Sequence, residues 1–239
     1  MDMKVSKIII HIFVAFFLVL AVSCSTTVKL KARADLTSDM DLTFDIGAYF
    51  AEAIEGMASA TGEGLGLSKE AVENSFSGSD FTNVQATVPN KQEVILSARL
   101  NAAKDQSVSV NGVRAQDFIK CSKNSLTFTL SPKSIQTLYS SLNEESRAYA
   151  DLLMAPVFTG DRMSASEYKE LLSAVYGKEL ADETEKARIK ISLEPPKGKG
   201  ISSSSADYKI RQSSSSVTFS VPALELLTLT KEMSFKIDF

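Results

Sequence analysis

Two pairs of residues in this chain carry side chains that could do chemistry. Ser166 and Lys169 stand three positions apart in "SEYK". Because one turn of an α-helix takes about 3.6 residues, this spacing brings a lysine amine beside a serine hydroxyl, as a base beside a nucleophile. Cys24 and Cys121 are the two thiols of the chain. These residues could therefore support acyl transfer by a serine or covalent modification of a cysteine.

The spacing of Ser166 and Lys169 resembles the Ser-x-x-Lys motif of serine β-lactamases and penicillin-binding proteins, which also lies at the start of a helix. The companion motifs of that family are missing, since the chain has no Ser-Asp-Asn and has "KGKG" in place of Lys-Thr-Gly. Ser164 and Glu167 form a capping box, which explains this segment without catalysis. A hydrolase of envelope substrates that uses this dyad, or a pair of carboxylates, is therefore the alternative interpretation.

Acidic residues cluster at two places, Glu144–Glu145 and Asp182–Glu183 with Glu185. A catalytic pair needs opposed, partly buried carboxylates, and calcium needs a loop of oxygen ligands. Both clusters lie in helical sequence that also carries lysines. The pattern predicts solvated helix faces rather than a metal or acid–base site.

The N-terminal segment has the pattern of a secretory signal peptide. Lys4 and Lys7 precede residues 8–22, which are apolar except for His11. As a helix this run would span about 22 Å, whereas the hydrocarbon core of a bilayer is about 30 Å thick. Residues 1–23 are therefore predicted to be a cleaved signal peptide rather than a membrane anchor.

The stretch "LAVSC" at 20–24 resembles the lipobox of bacterial lipoproteins. The resemblance implies a type II signal peptide: the Cys24 thiol takes a diacylglycerol, the chain is cut between Ser23 and Cys24, and a fatty acid such as palmitate acylates the new terminus. The usual lipobox has leucine three residues before the cysteine. Here Ala21 takes that position and Leu20 precedes it, as in the relaxed lipoboxes of spirochaetes. Ala21 and Ser23 also satisfy the small-x-small rule of ordinary signal cleavage, which stays open.

Removal of the signal peptide would take away His11, the one histidine in the sequence. A Ser-His-Asp triad, a Cys-His pair and the imidazole ligands of common zinc sites are then excluded. With Cys24 acylated, Cys121 has no disulfide partner, and its context "FIKCS" predicts a buried small residue. We therefore expect neither a cofactor nor a metal.

The remaining residues, 24–239, have 24 basic and 28 acidic residues and a net charge of −4. Charges of this balance, scattered along the chain, do not predict a basic patch that would bind nucleic acid. A chain of this length can bury one substantial core or two small ones. We expect a single globular domain over 24–239, in which 24–27 form a short lead-in to the lipid anchor.

Alternation of apolar and polar residues predicts several strands. Residues 26–36 place apolar side chains on one face and Lys29, Lys31, Arg33 and Asp35 on the other, as in an antiparallel strand with one wet face. Further strands are predicted at 42–46 after a turn at 37–41, at 125–130, 187–196 and 216–221, and at 233–239. Hairpins are predicted around "PNKQ" at 89–92 and around Asn111–Gly112. Two four-serine blocks, 202–205 and 213–216, flank 206–212, which are predicted to be either a strand with mobile flanks or a long loop.

Helix signals are strongest at "SASEYKELLSAVYG", where Ser164 and Glu167 form the capping box and Gly177 follows the last turn. Ser131 and Pro132 have the order of an N-cap and a first-turn proline. Other helices are predicted at 47–60, after Ser68 and in a stretch that ends at Pro156, and 222–230 are a short apolar stretch.

Three segments align without gaps, 41–54, 125–138 and 216–229. Each has a Thr-Phe pair in a predicted strand and then an apolar helical pattern. Chance is the simpler explanation, because both residues are common in strands. With or without a repeated hairpin-then-helix unit, we expect an α+β fold, in which several hairpins form one antiparallel sheet with helices mainly on one face.

These features favour an exported lipoprotein, held at a bacterial membrane, that acts as a non-enzymatic binding or structural module. Its partners would be membrane lipid through Cys24, and an envelope protein or an apolar ligand held in a groove between the layers. Ser25 occupies the position where enteric lipoproteins that stay in the inner membrane carry aspartate. The outer membrane is therefore the favoured location.

Overall fold

The computed structural model describes residues 23–46, 69, 81–90, 93–100, 115–140, 147, 150–151, 153–206 and 208–239. The strands within these residues are β1 (Ser23–Ala32), β2 (Ser38–Ile46), β3 (Phe81–Asn90), β4 (Glu93–Leu100), β5 (Ile119–Cys121), β6 (Ser125–Leu130), β7 (Arg188–Glu194), β8 (Ser203–Ser205), β9 (Lys209–Gln212), β10 (Val217–Pro222) and β11 (Met233–Asp238). The helices with described bounds are α1 (Pro132–Ser140), α2 (Pro156–Thr159), α3 (Ala165–Tyr176), α4 (Lys178–Lys186) and α5 (Ala223–Leu227). The predicted α+β class is confirmed.

Seven strands form a large sheet in the order β3-β4-β2-β1-β7-β10-β9. β1 and β7 run parallel, with Ser25 opposite Arg188 and Val28 opposite Ile191. The other neighbouring pairs are antiparallel. The parallel pair departs from the antiparallel sheet that the sequence predicts. Residues 33–187 separate the two strands, which leaves ample chain for the crossover that a parallel pair requires.

Four strands form a second, antiparallel sheet in the order β5-β6-β11-β8. Its buried side chains pack on the large sheet, and the rings of Phe219 (β10) and Phe235 (β11) meet with centroids 5.2 Å apart. The expected single sheet is therefore two sheets joined through one core.

Alternation decides which face of each strand enters the core. In β1 the side chains of Thr26, Val28 and Leu30 are buried, whereas Lys29 and Lys31 are exposed. Burying the apolar side chains of this face stabilises the folded state by roughly 25 cal/mol for each Å² of apolar surface removed from water.

The helices cover the face of the large sheet that carries its buried side chains. Tyr168 (α3), Ala181 (α4) and Leu227 (α5) belong to the buried cluster that contains the inward side chains of β1 and β7. The opposite face carries exposed charged side chains, among them Lys29, Asp41 and Lys190. The predicted placement of helices on one face agrees with this arrangement.

The turn between β1 and β2 comes earlier than predicted. β1 ends at Ala32 rather than at Leu36, and the turn occupies 33–37 instead of 37–41. The Asp35 carboxylate accepts hydrogen bonds from the backbone N–H of Thr37 at 3.1 Å and from its hydroxyl at 2.6 Å. Leu36 adopts φ 65°, a left-handed conformation that ends the strand pattern.

The predicted helix signals at the described termini are confirmed. Ser164 accepts a hydrogen bond from the Glu167 N–H while the Glu167 carboxylate accepts one from the Ser164 N–H, so α3 begins with a complete capping box. Gly177, at φ 91°, ends α3. The Ser131 hydroxyl likewise accepts from the Ser134 N–H at 3.0 Å, at the start of α1. Pro156, expected only to end a helix, also opens α2.

The serine blocks are ordered, contrary to the prediction of mobile flanks. Ser203–Ser205 form β8 and pair with β11, where the Ser203 hydroxyl donates to the Asp238 carboxylate at 2.7 Å. Ser213 and Ser216 close a turn through a 2.9 Å backbone hydrogen bond and a 3.0 Å bond from the Ser216 N–H to the Ser213 hydroxyl. Serine hydroxyls can satisfy such backbone groups locally, which explains why a serine-rich sequence is ordered here.

Some predictions fall outside the described residues. They are residues 1–22 of the predicted signal peptide, the helix at 47–60, the helix after Ser68 apart from Lys69, the hairpin at Asn111–Gly112 and the carboxylates Glu144–Glu145.

The three Thr-Phe pairs lie in β2, β6 and β10, each of which has an antiparallel partner on both sides. β6 belongs to the small sheet and the other two belong to the large sheet. The common origin of these segments stays a prediction.

Candidate functional site

Cys24 lies inside β1. Ser23 pairs with Ile46 and Ser25 with Asp45, so Cys24 is the extra residue of a β-bulge. Ser25 also pairs with Arg188 on the other side of β1. The expected lead-in at 24–27 is thus part of the strand, because its backbone is bonded to strands on both sides.

The residues beside Cys24 define one end of the large sheet. Ser25 pairs with Arg188, and Arg188 pairs with Pro222 at the end of β10. The N–H of Ala223 donates to the Ala187 carbonyl at 3.1 Å, which fixes the start of α5 there. We call this row, defined by Ser25, Arg188 and Pro222, the Cys24 end of the sheet.

A cleft of about 530 Å³ lies between the start of α3, the β8–β9 connection, α5 and the start of β11. Its lining residues are Met163, Ser164, Ala165, Ala206, Tyr208, Glu225, Thr228, Leu229, Thr230, Lys231, Glu232, Met233, Ser234 and Phe235. The cleft combines apolar walls with charged groups.

The polar centre of the cleft is a tyrosine–glutamate pair. The Tyr208 hydroxyl donates a hydrogen bond to the Glu225 carboxylate, and both side chains are half-buried. α5 carries Glu225, and a 2.9 Å bond from the Ser220 N–H to the Tyr208 carbonyl fixes the tyrosine backbone against β10. A carboxylate with two oxygens keeps acceptor sites beyond the one that Tyr208 uses.

The apolar side of the cleft is continuous with the protein core. Phe235 is 1% exposed and Leu229 is 6% exposed, while Met163 and Met233 are half-buried. Two methionines give this wall an adaptable surface. The cleft can therefore hold an apolar group and, beside it, a group that donates hydrogen bonds to Glu225.

The structure does not join Ser166 to Lys169. Ser166 is exposed on α3, whereas the Lys169 ammonium lies 2.6 Å from Glu185 and 3.2 Å from Asp182, both on α4. These two carboxylates, Glu185 foremost, raise the pKa of Lys169 above its ordinary value through hydrogen bonds. A lysine that serves as a base needs the opposite shift.

The acidic cluster of α4 therefore has a structural partner. Asp182 and Glu185 bind Lys169 across α3 and α4, and surface ion pairs of this kind stabilise a fold only slightly. Over the described ranges, no three or more His, Cys, Asp or Glu side chains converge where a metal ion could bind.

Cys121 is a half-buried free thiol in β5. Burial raises the pKa of this thiol above its ordinary value, and this effect outweighs the hydrogen bond from the Arg33 backbone, which acts to lower it. A raised thiol pKa disfavours the reactive thiolate form.

Sequence reasoning did not find Tyr208 and Glu225. The one available signal is an acid inside the apolar stretch "PALELL", because Glu225 is flanked on both sides by buried leucines. A charged residue in such a position often has a specific partner.

In the part of the chain that the structure describes, helices are too short or too polar to cross a bilayer. Comparisons of the chain with protein-family models, with curated proteins and with solved structures found no significant match.

Proposed function

We propose that this chain is a bacterial envelope lipoprotein that binds an apolar or amphipathic ligand and catalyses no reaction. Cys24 carries the lipid anchor, and the outer membrane is the favoured location. The observation that carries the binding role is the cleft around Tyr208 and Glu225.

The lipobox-like stretch that ends at Cys24 supports the anchor. Two acyl chains suffice for stable attachment, since each buried methylene contributes about 0.8 kcal/mol. Because Ser25 already pairs with Asp45 and Arg188, an anchor on Cys24 holds the sheet directly at the membrane surface.

The size and chemistry of the cleft support ligand binding. Small-molecule sites are mostly apolar clefts of about 300–1,000 Å³ with a few placed polar groups. The cleft measures about 530 Å³, and its Met163, Leu229 and Met233 side chains accompany the Tyr208–Glu225 pair.

Filling the cleft is expected to abolish this binding. Ala206 is half-buried in the lining, so Ala206→Trp places an indole where the ligand would lie. We expect it to weaken binding of a fluorescent fatty-acid analogue by at least about tenfold in a titration of the purified chain.

The matched control is Ala34→Trp, in the exposed β1–β2 turn. It introduces the same side chain away from the cleft and should leave the affinity unchanged. Equal affinities for Ala206→Trp and the unaltered protein, with unchanged circular dichroism, would reject the cleft as the binding site.

A further inference from the structure

We infer that the cleft receives the headgroup of an amine-bearing phospholipid from the same membrane that holds the Cys24 anchor. This inference rests on the proposed function and adds the class of ligand and its source. It combines the location of the cleft relative to Cys24 with the charges that line it.

The end of β10 lies close to the first residues of β1 across the sheet. Ser25 pairs with Arg188, and Arg188 pairs with Pro222. Neighbouring strands lie about 4.8 Å apart, so Pro222 is about 10 Å from the first residues of β1. The end of β10 and the tether therefore share one end of the molecule.

From Pro222 the chain runs directly into the residues that line the cleft. α5 begins directly after Pro222, and Glu225 is its third residue. Tyr208 is bonded through its carbonyl to the N–H of Ser220, two residues before Pro222. Both members of the polar pair thus lie close to the Cys24 end.

The start of α3 forms the opposite wall of the cleft. Lys169, near the start of α3, contacts Glu185, near the end of α4, so the two helices run antiparallel. α4 leads into Arg188 at the Cys24 end. Met163–Ala165, which precede and open α3, therefore lie at that end as well. With β1 paired from Ser25 onward, little chain separates the cleft from a bilayer that holds the anchor.

Charge selects the headgroup. Glu225 accepts a hydrogen bond from Tyr208 and can accept others from an ammonium group, while Lys231 in the same lining can meet a phosphate. Glu232 adds a second negative charge, so the lining is net acidic. Met163, Leu229 and Met233 offer apolar surface to the start of the acyl chains. An anionic lipid without an amine brings no positive charge to Glu225 and can offer it at most neutral hydroxyl donors, whose hydrogen bonds to a carboxylate are weaker than those of an ammonium group.

The headgroup is tested with soluble short-chain lipids and the full chain bearing Cys24→Ser, so that the anchor makes no contribution. We expect dihexanoyl phosphatidylethanolamine to bind about tenfold more tightly than dihexanoyl phosphatidylglycerol in calorimetric titrations.

Glu225→Gln keeps an acceptor for Tyr208 and should remove the preference for phosphatidylethanolamine. Glu179→Gln, an exposed site on α4, should keep it. Equal affinity for the two lipids, or a preference that survives Glu225→Gln, overturns the inference but leaves the cleft as a binding site. Binding of neither lipid also overturns the inference, while the titration of Ala206→Trp with the fatty-acid analogue decides whether the cleft binds a ligand.

The location is tested with single tryptophans, since the natural chain has none. Lipidated chains with Thr230→Trp at the cleft or Ala34→Trp in the β1–β2 turn are reconstituted in phosphatidylethanolamine vesicles that contain brominated lipid. Ala34 lies ten residues along the chain from Cys24, about 30 Å for extended backbone. We expect bromine to quench the indole fluorescence of the Thr230→Trp variant and to leave that of the Ala34→Trp variant unaffected. Equal quenching of the two variants, or quenching of the Ala34→Trp variant alone, contradicts the inferred location while the anchor itself stands.

Discussion

Replacing Cys24 with serine is expected to move the protein from the membrane fraction to the soluble fraction. A serine hydroxyl does not form the thioether that holds the diacylglycerol. One acyl chain gives only marginal, reversible membrane binding, and a second makes attachment stable, so loss of all chains should release the protein from the membrane. Fractionation of bacteria that express the full chain, with immunoblotting of both fractions, measures the change.

The matched control is Cys121→Ser, the same substitution at the other cysteine. Cys121 is half-buried in β5, and its replacement should leave the protein in the membrane fraction. Cys24→Ser protein that has lost residues 1–23 and still sediments with salt-washed membranes would rule out the lipid anchor. This condition separates true membrane binding from retention by an uncut leader.

The largest expected loss of stability follows truncation of Phe235. Its side chain is 1% exposed and contacts Phe219 of the large sheet and Phe128 of the small sheet, with ring centroids 5.2 and 6.3 Å away. Phe235→Ala should lower the free energy of unfolding by about 3–5 kcal/mol, because a buried ring leaves a cavity. It should also weaken ligand binding, since Phe235 lines the cleft.

Urea unfolding followed by circular dichroism measures this loss. Phe239→Ala removes the same ring where it is only partly buried, beside Lys199, and should cost clearly less. A loss for Phe235→Ala no larger than that for Phe239→Ala would show that the two sheets do not depend on this contact.

Features set by neighbouring residues were the ones that sequence could predict. The capping box of Ser164 and Glu167 needs only four consecutive positions, and α3 begins there as expected. The alternation in β1 and β6 likewise marks which side chains enter the core, and Val28 and Leu126 are buried as the pattern indicates.

Features that depend on distant partners could not be predicted in this way. A strand can show the same alternation of apolar and polar residues beside a parallel or an antiparallel neighbour. The sequences of β1 and β7 therefore do not indicate that the two strands pair in parallel. Ser203–Ser205 have low strand propensity and become β8 because β11 offers a free edge. The β1–β2 turn shifted because the Asp35–Thr37 bonds outweigh the alternation of 32–36.

The same division applies to the candidate site. Cys24 was found from a contiguous pattern of about two dozen residues, and its lipidation stays a prediction. The cleft joins four segments, and only the folded chain brings Tyr208 to Glu225. The Ser166–Lys169 spacing was correct for one helical turn, but the acids that bind Lys169 lie on the next helix.

The most direct measurement is the mass of the N-terminal peptide of protein purified from bacterial membranes. We expect a peptide that begins at Cys24 and carries a diacylglycerol on its sulfur, together with an acylated amino group. An unmodified Cys24 thiol, or a peptide that still contains residues before Cys24, would contradict it.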